Sequence, residues 1–301
     1  MSELKLPRGT LWRSVVERTE QALRTGALVP IPTEQYFIAD GGIRFVVRRA
    51  VHLERKKAAS TYRVDSAENH ASRPPNPFLP HEEDLFVAEI SDTHIALLNK
   101  FNVVEHHLLM VTRSFEDQER PLTESDFAAM WACMREYDAL VFYNSGEIAG
   151  ASQRHKHLQM VPLPLTPAGP RCPMDPLIAS ADYADGLGRV AALPFPHTVA
   201  SLGGGVVEEP TRAARDTRRL YRAMLETVCL NPRQPAPYNL LVTRDWMLLV
   251  PRARECFAAI SINGLGFAGS FFVKSESDLG LLRETGPLAA LASVAGAQQK
   301  Q

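Results

Sequence analysis

The chain has 301 residues, of which 45% are apolar and 22% are charged, a composition typical of folded proteins and not of disordered ones. Its 33 Lys and Arg residues nearly balance 34 Asp and Glu residues, so no overall field favours nucleic acid or an anionic membrane. The four cysteines show no C-x-x-C spacing, the start of the chain lacks a signal-peptide core, and no run reaches the about 18 to 20 apolar residues of a membrane span. We therefore expect a cytoplasmic protein without nucleic-acid or membrane partners.

The first part of the chain predicts one helix followed by strands. Apolar residues recur at helical spacing from Leu11 to Leu23, with Thr10 as the expected N-cap and Gly26 as the end of the helix. Runs of β-branched and aromatic residues on both sides of Asp40-Gly41-Gly42 predict a hairpin. The polar, Pro-rich segment 56–80 predicts a long loop.

Further strands and a second helix are predicted before residue 162. Thr123 and Asp126 resemble a capping box ahead of an apolar stripe at helical spacing. The stripe consists of Phe127, Met130, Trp131, Met134, Tyr137 and Leu140. Strands are expected at 85–90, 94–98, 108–112, 140–143 and 155–162.

The segment 162–210 is rich in Pro, Gly and Ala and is expected to connect two domains. The expected parts are an N-terminal domain that carries the chemistry (1–195), a C-terminal domain packed on it (196–293) and a frayed tail (294–301). A helix at 213–228 precedes strands at 238–243, 246–251 and 271–274. Each half therefore places strands around one long helix, although residue identities reveal no repeat.

The strongest local feature is a run in which His155, His157 and Gln159 alternate with Lys156, Leu158 and Met160. In a strand, this period places two imidazoles and an amide on one face, with neighbours about 6 to 7 Å apart. Imidazole has an unperturbed pKa of about 6.5, so it is mostly neutral at pH 7 and can attack phosphorus without a separate base. The run therefore indicates a site that binds and attacks a phosphoryl group.

Two other interpretations of the histidine pair remain open. An H-x-H pair on a strand can bind a metal, and buried histidines can simply be core residues. Gln159 is a poor ligand for zinc or iron, whereas the small residues of 144–152 offer the backbone N–H groups and hydroxyls that anions prefer. Anion chemistry is favoured over a metal-dependent enzyme or a non-catalytic nucleotide sensor. The G-x-G-x-x-G run 264–269 is followed by an expected strand, which disfavours a Rossmann site.

The run G-A-S-Q-x-H-K-H-L-Q, residues 150–159, resembles the signature of the diadenosine tetraphosphate phosphorylases, also called ATP adenylyltransferases, of the histidine-triad superfamily. Matches in the same order cover most of the chain: Asn76-Pro77-Phe78, 98–101 with Val103, Val104 and His107, 143–146, 238–241 with 246–247, and 262–263 with 265–269. Asn102 and Glu105 stand where proline is expected, and no proline follows Lys56-Lys57. A hexose-1-phosphate uridylyltransferase is the alternative, but its motif has prolines where Lys156 and Leu158 stand.

The resemblance implies an α+β, histidine-triad-like fold with a mainly antiparallel sheet and flanking helices, related to hexose-1-phosphate uridylyltransferases. It implies that His157 attacks the α-phosphorus of diadenosine tetraphosphate, releasing ATP, and that phosphate then attacks the adenylyl-histidine, giving ADP. His155 would orient His157, whose ring N–H is expected to bond a backbone carbonyl. Gln159 would donate to an α-phosphate oxygen.

The substrate-binding residues are also expected from the resemblance and from charge. Asn99 matches a ribose-contacting asparagine, and the phosphate-contacting turn comprises Asn144, Ser145, Gly146, Ser152 and Gln153. The cationic groups that a polyphosphate requires are expected from Lys56, Lys57 and Lys274. His107 is expected to be structural. No metal site or tightly bound cofactor is expected, apart from a divalent cation such as Mg²⁺ that accompanies the polyphosphate, and the protein is expected to be a monomer or weak homo-oligomer.

The amide of Gln159 supports an inference of its own. Glutamine can donate a hydrogen bond but cannot titrate, so it cannot protonate a poor leaving group or deprotonate water. A polyphosphate leaving group needs no proton, and phosphate dianion is already a nucleophile. We therefore expect fast transfer to phosphate and slow hydrolysis.

Overall fold

The computed structural model describes residues 3–51, 76–204 and 208–296, so the predicted loop 56–80 lies mostly outside the described residues. The helices are α1 (Leu11–Thr25), α2 (Glu124–Met134), α3 (Asp175–Ala179), α4 (Pro210–Thr227), α5 (Gly264–Phe267), α6 (Glu276–Thr285) and α7 (Pro287–Val294). The strands are β1 (Thr33–Asp40), β2 (Ile43–Ala50), β3 (Phe86–Glu89), β4 (His94–Leu98), β5 (Leu108–Thr112), β6 (Ala139–Asn144), β7 (His157–Pro162), β8 (Asp182–Ala184), β9 (Leu187–Arg189), β10 (Thr198–Ser201), β11 (Tyr238–Val242), β12 (Trp246–Pro251), β13 (Cys256–Phe257), β14 (Ile260–Ser261) and β15 (Ser270–Val273).

A ten-stranded antiparallel sheet forms the centre of the fold, in the order β3-β4-β5-β7-β6-β11-β12-β10-β9-β8. A second sheet joins β1, β2 and β15, and β13 pairs with β14. Helices flank the large sheet, so the predicted α+β class with a mainly antiparallel sheet is confirmed. Among the described helices, none is long and apolar enough to cross a membrane.

The strand order of the large sheet repeats itself. From the two edges inward, the orders are β3-β4-β5-β7-β6 and β8-β9-β10-β12-β11, and the halves meet where β6 pairs with β11. In each half, one helix separates the first three strands from the last two, α2 in the first half and α4 in the second. β8 and β9 pair beside β10 although they precede residue 196, and the domain division at that residue stays a prediction.

Three apolar clusters cover the two faces of this sheet. The first packs α1, α2 and α4 on one face, where Trp131 Nε1 donates to Thr217 Oγ1 at 2.8 Å. The second lies on the opposite face, mostly over the second half, and includes residues of β2, β15, α6 and α7. The third, smaller cluster contains Phe78, Ile95, Leu97, Leu109 and Val111. Gln159 pairs with Leu109 of the third cluster on one side and with Phe142 of the second on the other, so the predicted site lies between these two clusters.

The local predictions agree with the structure except at two points. The β1–β2 hairpin turns at Gly41 and Gly42, whose φ angles of 56° and 81° favour glycine. α1 begins after Thr10 as predicted, but the Thr10 hydroxyl donates to the Pro7 carbonyl and does not cap the helix.

The capping box of Thr123 and Asp126 at the start of α2 is confirmed. However, α2 ends at Met134, so the predicted helical stripe is wrong for Tyr137 and Leu140. Leu140 belongs to β6, as the strand predicted at 140–143 requires, and it pairs there with Val161 of β7.

Candidate active site

The H-x-H-x-Q run enters the large sheet at its second histidine. β7 begins at His157, whereas His155 precedes it and forms an isolated bridge with Asp117. Leu158 and Met160 pack in the first apolar cluster, on the face opposite Gln159, as the alternation predicts. The Phe78 ring lies 5.6 Å from the His155 ring and 5.4 Å from the His157 ring, measured between centroids, so the two imidazoles share one aromatic neighbour.

The His157 ring has one bonded nitrogen and one nitrogen available for chemistry. Its Nδ1 lies 2.8 Å from the backbone oxygen of His155, and because a carbonyl only accepts, Nδ1 must carry the proton. The bond to a backbone carbonyl that the sequence predicts is thereby confirmed. The side chain is 4% exposed, and burial lowers the pKa of His157 to about 4. Nε2 therefore keeps its lone pair at neutral pH.

Both ring nitrogens of His155 are used by protein groups. Nε2 lies 2.8 Å from the Thr112 carbonyl oxygen, so it donates there, and Nδ1 accepts from Asn76 Nδ2 at 3.0 Å. The Asn76 amide is oriented because its oxygen accepts from the Phe78 N–H. Burial lowers the pKa of His155, which keeps the ring neutral. His155 is therefore suited to positioning its neighbour and not to attack.

Lys156, between the two histidines, belongs to a buried ion pair on the other face of the sheet. Its Nζ donates to Asp126 Oδ2 at 2.7 Å, and Asp126 Oδ1 accepts from His94 Nε2 at 3.0 Å. Burial alone would raise the pKa of Asp126, but the bond from His94 and the charge of Lys156 hold it well below its usual range. Asp126 also caps α2. The ion pair therefore connects the segment just before β7 to that helix.

His107 and Asn99 lie next to Gln159. His107 Nδ1 is 3.1 Å from Asn99 Nδ2, and its Nε2 is buried with no hydrogen-bond partner among the described residues. Burial lowers the pKa of His107 to about 4, against an opposing contribution from the nearby Gln159 amide. This brings the predicted ribose ligand and the predicted phosphate donor together around a neutral histidine.

The predicted phosphate turn follows β6. Asn144 Oδ1 accepts from Asn239 Nδ2 at 2.8 Å and from the Gly264 N–H at 2.9 Å, which fixes the orientation of the Asn144 amide. Within the described ranges, Asn144 Nδ2 and Ser145 Oγ are buried and have no partner. Gly146 has φ of 82°, which favours glycine. Buried polar groups without a protein partner are groups for which a ligand is expected.

The second half of the sheet supports this turn. Arg252, fully buried, donates to Asn239 Oδ1 at 2.6 Å and to the Ala149 carbonyl oxygen at 3.2 Å. The Asn239 amide in turn orients Asn144. The sequence matched Asn239 to the family without assigning it a role, and it offered no signal for Arg252.

Gln118 is a second residue that the sequence did not reveal. Its Oε1 accepts from the His157 N–H at 2.8 Å, and its Nε2 donates to the carbonyl oxygens of His157 at 3.1 Å and Asn144 at 2.9 Å. Gln118 lies in a polar stretch without helical or strand periodicity, so nothing local distinguishes it from a solvated loop residue.

Of the remaining predicted site residues, some lie near the histidines in the structure and others do not. Ser152 is exposed and Gln153 partly exposed in the loop just before His155. Lys274 follows β15 of the smaller sheet with an exposed side chain, and no contact among the described residues joins it to the histidines. Lys56 and Lys57 lie outside the described residues. In the described part of the chain, no group of three or more His, Cys, Asp or Glu residues could hold a metal ion.

Comparisons with known proteins identify the family of this chain. Residues 1–180 match the model of the Ap4A phosphorylase N-terminal domain, where Ap4A is diadenosine tetraphosphate, and residues 191–297 match that of the ATP adenylyltransferase C-terminal domain. Diadenosine 5',5'''-P1,P4-tetraphosphate phosphorylase 2 of Saccharomyces cerevisiae is 31% identical over 250 residues, which cover 73% of this chain and 75% of that protein. Protein APA1 of the same yeast is 25% identical over 267 residues, 79% of this chain and 83% of that protein.

The fold is similar to that of a solved yeast enzyme. The crystal structure of yeast Ap4A phosphorylase Apa2 matches with a TM-score of 0.77 and 24% identity, covering 98% of this chain and 100% of that chain. The structure of Apa2 in complex with Ap4A matches with a TM-score of 0.75 and 23% identity, with the same shares covered. The matched family models, the relative at 31% identity and the motif together show that this chain belongs to the Ap4A phosphorylase family.

Proposed function

We propose that this protein is an ATP adenylyltransferase that phosphorolyses diadenosine tetraphosphate to ATP and ADP, with His157 as the nucleophile. The observation that carries the proposal is the 2.8 Å bond between His157 Nδ1 and the His155 carbonyl oxygen. This bond places the proton on Nδ1 and leaves Nε2 as the attacking atom. The yeast relative at 31% identity is named for the same phosphorylase activity.

In the first half-reaction, the Nε2 lone pair of His157 attacks the α-phosphorus and forms an N–P bond. The bond from that phosphorus to the bridging oxygen breaks, and ATP leaves with the electron pair. The imidazole becomes positively charged, and the Nδ1–H bond to the His155 carbonyl stabilises that charge. Gln159 donates to a non-bridging α-phosphate oxygen. No proton is transferred, because the polyphosphate leaves as an anion.

In the second half-reaction, an oxygen of inorganic phosphate attacks the adenylyl-histidine. The N–P bond breaks, its electron pair returns to Nε2, and ADP is released. Because ATP leaves before phosphate reacts, we expect ping-pong kinetics and net retention of configuration at phosphorus. Gln159 cannot activate water, so hydrolysis of the intermediate is slow compared with phosphorolysis.

The substrate is bound by the residues around His157. The third apolar cluster lies beside His157 and provides the surface for the first adenine, and Asn99 contacts its ribose. The unpartnered Asn144 Nδ2 and Ser145 Oγ bind phosphate oxygens, helped by Gly146, Ser152 and Gln153. The three lysines at positions 56, 57 and 274 supply positive charge to the polyphosphate.

A divalent cation, Mg²⁺, accompanies the polyphosphate. Mg²⁺ in nucleotide sites is held mainly by phosphate oxygens and water, with one or two carboxylates. Glu119 fits that role, because a Cβ built on Gly146 would lie 2.8 Å from Glu119 Oε1, which places this carboxylate directly against the phosphate turn. The cation would neutralise charge on the departing ATP.

We also propose that the enzyme acts in the cytoplasm, as a monomer or weak homo-oligomer, on small nucleotides without nucleic-acid or membrane partners. The balanced net charge of −1 supports the absence of nucleic-acid and anionic-membrane partners. Cys133, Cys172 and Cys229 are free thiols, which suits a reducing compartment.

The decisive experiment is to incubate the protein with diadenosine tetraphosphate and Mg²⁺ in the absence of phosphate. Peptide mass spectrometry is expected to find AMP on His157, with an equal amount of ATP released. Adding phosphate is expected to discharge the label as ADP. Label on another residue, or activity only when both substrates are bound together, would exclude this mechanism, and activity that is abolished by stripping tightly bound zinc or iron would support the metal alternative.

A further inference from the structure

The strand that carries the nucleophile changes partners at His157. From Gln159 to Pro162, β7 pairs with β6, with Phe142 opposite Gln159 and Ala139 opposite Pro162. Continued, this register would place Tyr143 opposite Leu158 and then Asn144 opposite His157, but the ladder ends at the pair of Phe142 and Gln159. Before His157, the chain pairs instead with the segment 116–118, where the Lys156 N–H donates to the Glu116 carbonyl oxygen at 2.8 Å. On the β6 side, the two strands therefore separate before His157 is reached, while on its other side His157 still lies opposite Val111 of β5.

On the side of β6, the peptide groups of His157 therefore have no strand partner. The side chain of Gln118 forms hydrogen bonds with both peptide groups. Its Oε1 accepts from the His157 N–H at 2.8 Å, and its Nε2 donates to the His157 carbonyl oxygen at 3.1 Å. The same Nε2 donates to the Asn144 carbonyl oxygen at 2.9 Å. One amide thus fills the position of the missing strand pair and connects the nucleophile to the residue that begins the phosphate turn.

Gln118 is itself firmly held. The residue is 1% exposed, its N–H donates to the Arg154 carbonyl oxygen at 2.8 Å, and its own carbonyl accepts from the Tyr143 hydroxyl. The backbone of Gln118 is therefore bonded to the same two segments that its side chain connects. One is the segment leading into β7, and the other is β6. A side chain fixed in this way can transmit a defined distance between the two strand ends.

We propose that Gln118 is a positioning residue for adenylyl transfer, setting the distance and orientation of His157 relative to the phosphate turn at Asn144 and Ser145. The proposal rests on the proposed function, since it concerns the same transfer. Gln118 does not contact the reacting atoms in this role, because all its side-chain bonds go to protein backbone. Its effect is on the geometry of attack, where a displacement of about 1 Å costs about 10²-fold in rate.

The test compares Gln118→Met with a matched control. Methionine has a similar length and keeps the packing but none of the three hydrogen bonds. Thr217→Val removes one buried hydrogen bond, from Trp131 Nε1 at 2.8 Å, at a place remote from β6 and β7. For each variant of the full chain, the rate of adenylyl-histidine formation from diadenosine tetraphosphate is measured by rapid quench over a range of substrate concentrations, and Tm is measured alongside.

For Gln118→Met, we expect the saturating rate to fall about 10²-fold with little change in the half-saturating concentration. Thr217→Val is expected to lower Tm with no change in rate. If Gln118→Met keeps the saturating rate, or loses no more than Thr217→Val does, Gln118 only stabilises the fold and the proposal is wrong. Gln118→Glu provides a second variant, because it keeps an acceptor for the His157 N–H but loses both donated bonds, and it too must slow the saturating rate.

A spectroscopic measurement separates this proposal from the proposed function. In protein with ¹⁵N-labelled histidine, the Nδ1 proton of His157 reports its bond to the His155 carbonyl. We expect its resonance to shift or broaden in Gln118→Met and Gln118→Glu and to stay unchanged in Thr217→Val. If the wild-type protein forms no adenylyl-histidine, the proposed function fails, while this resonance still decides whether Gln118 positions His157. An unchanged resonance in both Gln118 variants would overturn the positioning role.

Discussion

The two halves of the large sheet share one strand order but present different side chains. β7 has His157 and Gln159 at its first and third positions, and β12, its topological counterpart, has Trp246 and Leu248 there. Trp246 and Leu248 are covered by the second apolar cluster, whereas Gln159 lies between two clusters. The same scaffold thus carries the proposed reactive groups in one half and a packed core in the other, depending on what covers that face.

The histidines that precede the third strand of each half show the same contrast. His107, next to β5, has a buried Nε2 without a partner in the described part of the chain. His197, next to β10, has both nitrogens bonded, Nδ1 to the Phe195 carbonyl oxygen at 2.8 Å and Nε2 to the Val190 N–H at 2.9 Å. Among the described residues, the buried side-chain N and O atoms without a partner all lie in the first half of the chain, where a ligand could bond them, and none lies in the second.

The largest difference is expected between His157→Ala and Trp246→Phe. The first removes the nucleophile, so adenylation and phosphorolysis should become undetectable while the protein stays folded. The second removes the bond from Trp246 Nε1 to Asp175 at 2.9 Å on β12, so it should lower Tm without changing the rate per folded molecule. Intact-mass spectrometry after incubation with diadenosine tetraphosphate checks both, and retained adenylation in His157→Ala would refute the nucleophile assignment.

The next effect is expected from Gln159→Ala, compared with Leu248→Val on β12. Removing one donor to the transition-state phosphate oxygen should slow adenylyl transfer about 10²-fold. Shortening Leu248 should cost about 1 kcal/mol of unfolding free energy and leave transfer unchanged. Single-turnover rates and thermal melts measure the two effects. Equal losses of rate in the two variants would mean that Gln159 acts only through the fold.

A smaller effect is expected where the second half supports the first. In Asn239→Ala, Asn144 Oδ1 keeps the Gly264 N–H but loses the Asn239 donor, so its amide is less well oriented. Loss of one orienting bond is expected to raise the KM for phosphate about tenfold. Asn231→Ala, which changes an exposed turn residue of the same half, is the control and should leave that KM unchanged. An unchanged KM in Asn239→Ala would show that the second half does not affect phosphate binding through Asn239.

Gln159→His is expected to alter the products more than the rate. A histidine at this position can accept and return a proton, so it can activate water against the adenylyl-histidine. The ratio of AMP to ADP formed at limiting phosphate should therefore rise, and chromatography of the nucleotides measures it. A ratio equal to that of the wild type would contradict the explanation of slow hydrolysis.

The smallest change is expected on varying pH. With the pKa of His157 lowered to about 4 from an ordinary value of 6.5, the rate of adenylation should stay nearly constant between about pH 8 and pH 5.5. Stability should behave differently, because below pH 6.5 the unfolded chain binds a proton that folded His157 excludes. This contribution to stability is fully present above pH 6.5 and is lost as pH falls towards 4. An acid limb of the adenylation rate with a midpoint near 6.5 would show that His157 titrates normally.

The sequence predicted those features that depend on neighbouring residues. The capping box of Thr123 and the Gly41-Gly42 turn are local, and both are confirmed. The alternation in the H-x-H-x-Q run is confirmed from His157 onward, but the strand predicted at 155–162 begins two residues later, so His155 precedes it. The helical stripe is wrong beyond Met134, because helical spacing alone does not show where α2 ends, whereas the strand predicted at 140–143 correctly includes Leu140.

The missed residues act over long separations in the chain. Gln118 contacts a residue 39 positions away, and Asn239 one 95 positions away. A glutamine and an asparagine carry no periodic signal of their own, and only the strand order brings them to the site. Lys56, Lys57 and Lys274 stay predictions, as does the division of the chain at residue 196.

The buried pair of Lys156 and Asp126 limits how the histidine motif can evolve. Removing Lys156 alone leaves the buried Asp126 carboxylate without its lysine partner, at a cost of about 3 to 5 kcal/mol. Relatives that carry an uncharged residue at position 156 are therefore expected to have replaced the acid at position 126 as well, and with it the cap of α2. Likewise, a design that places residues 155–159 on another sheet would also need an acidic residue in the position of Asp126, which lies 30 positions before Lys156 in the sequence.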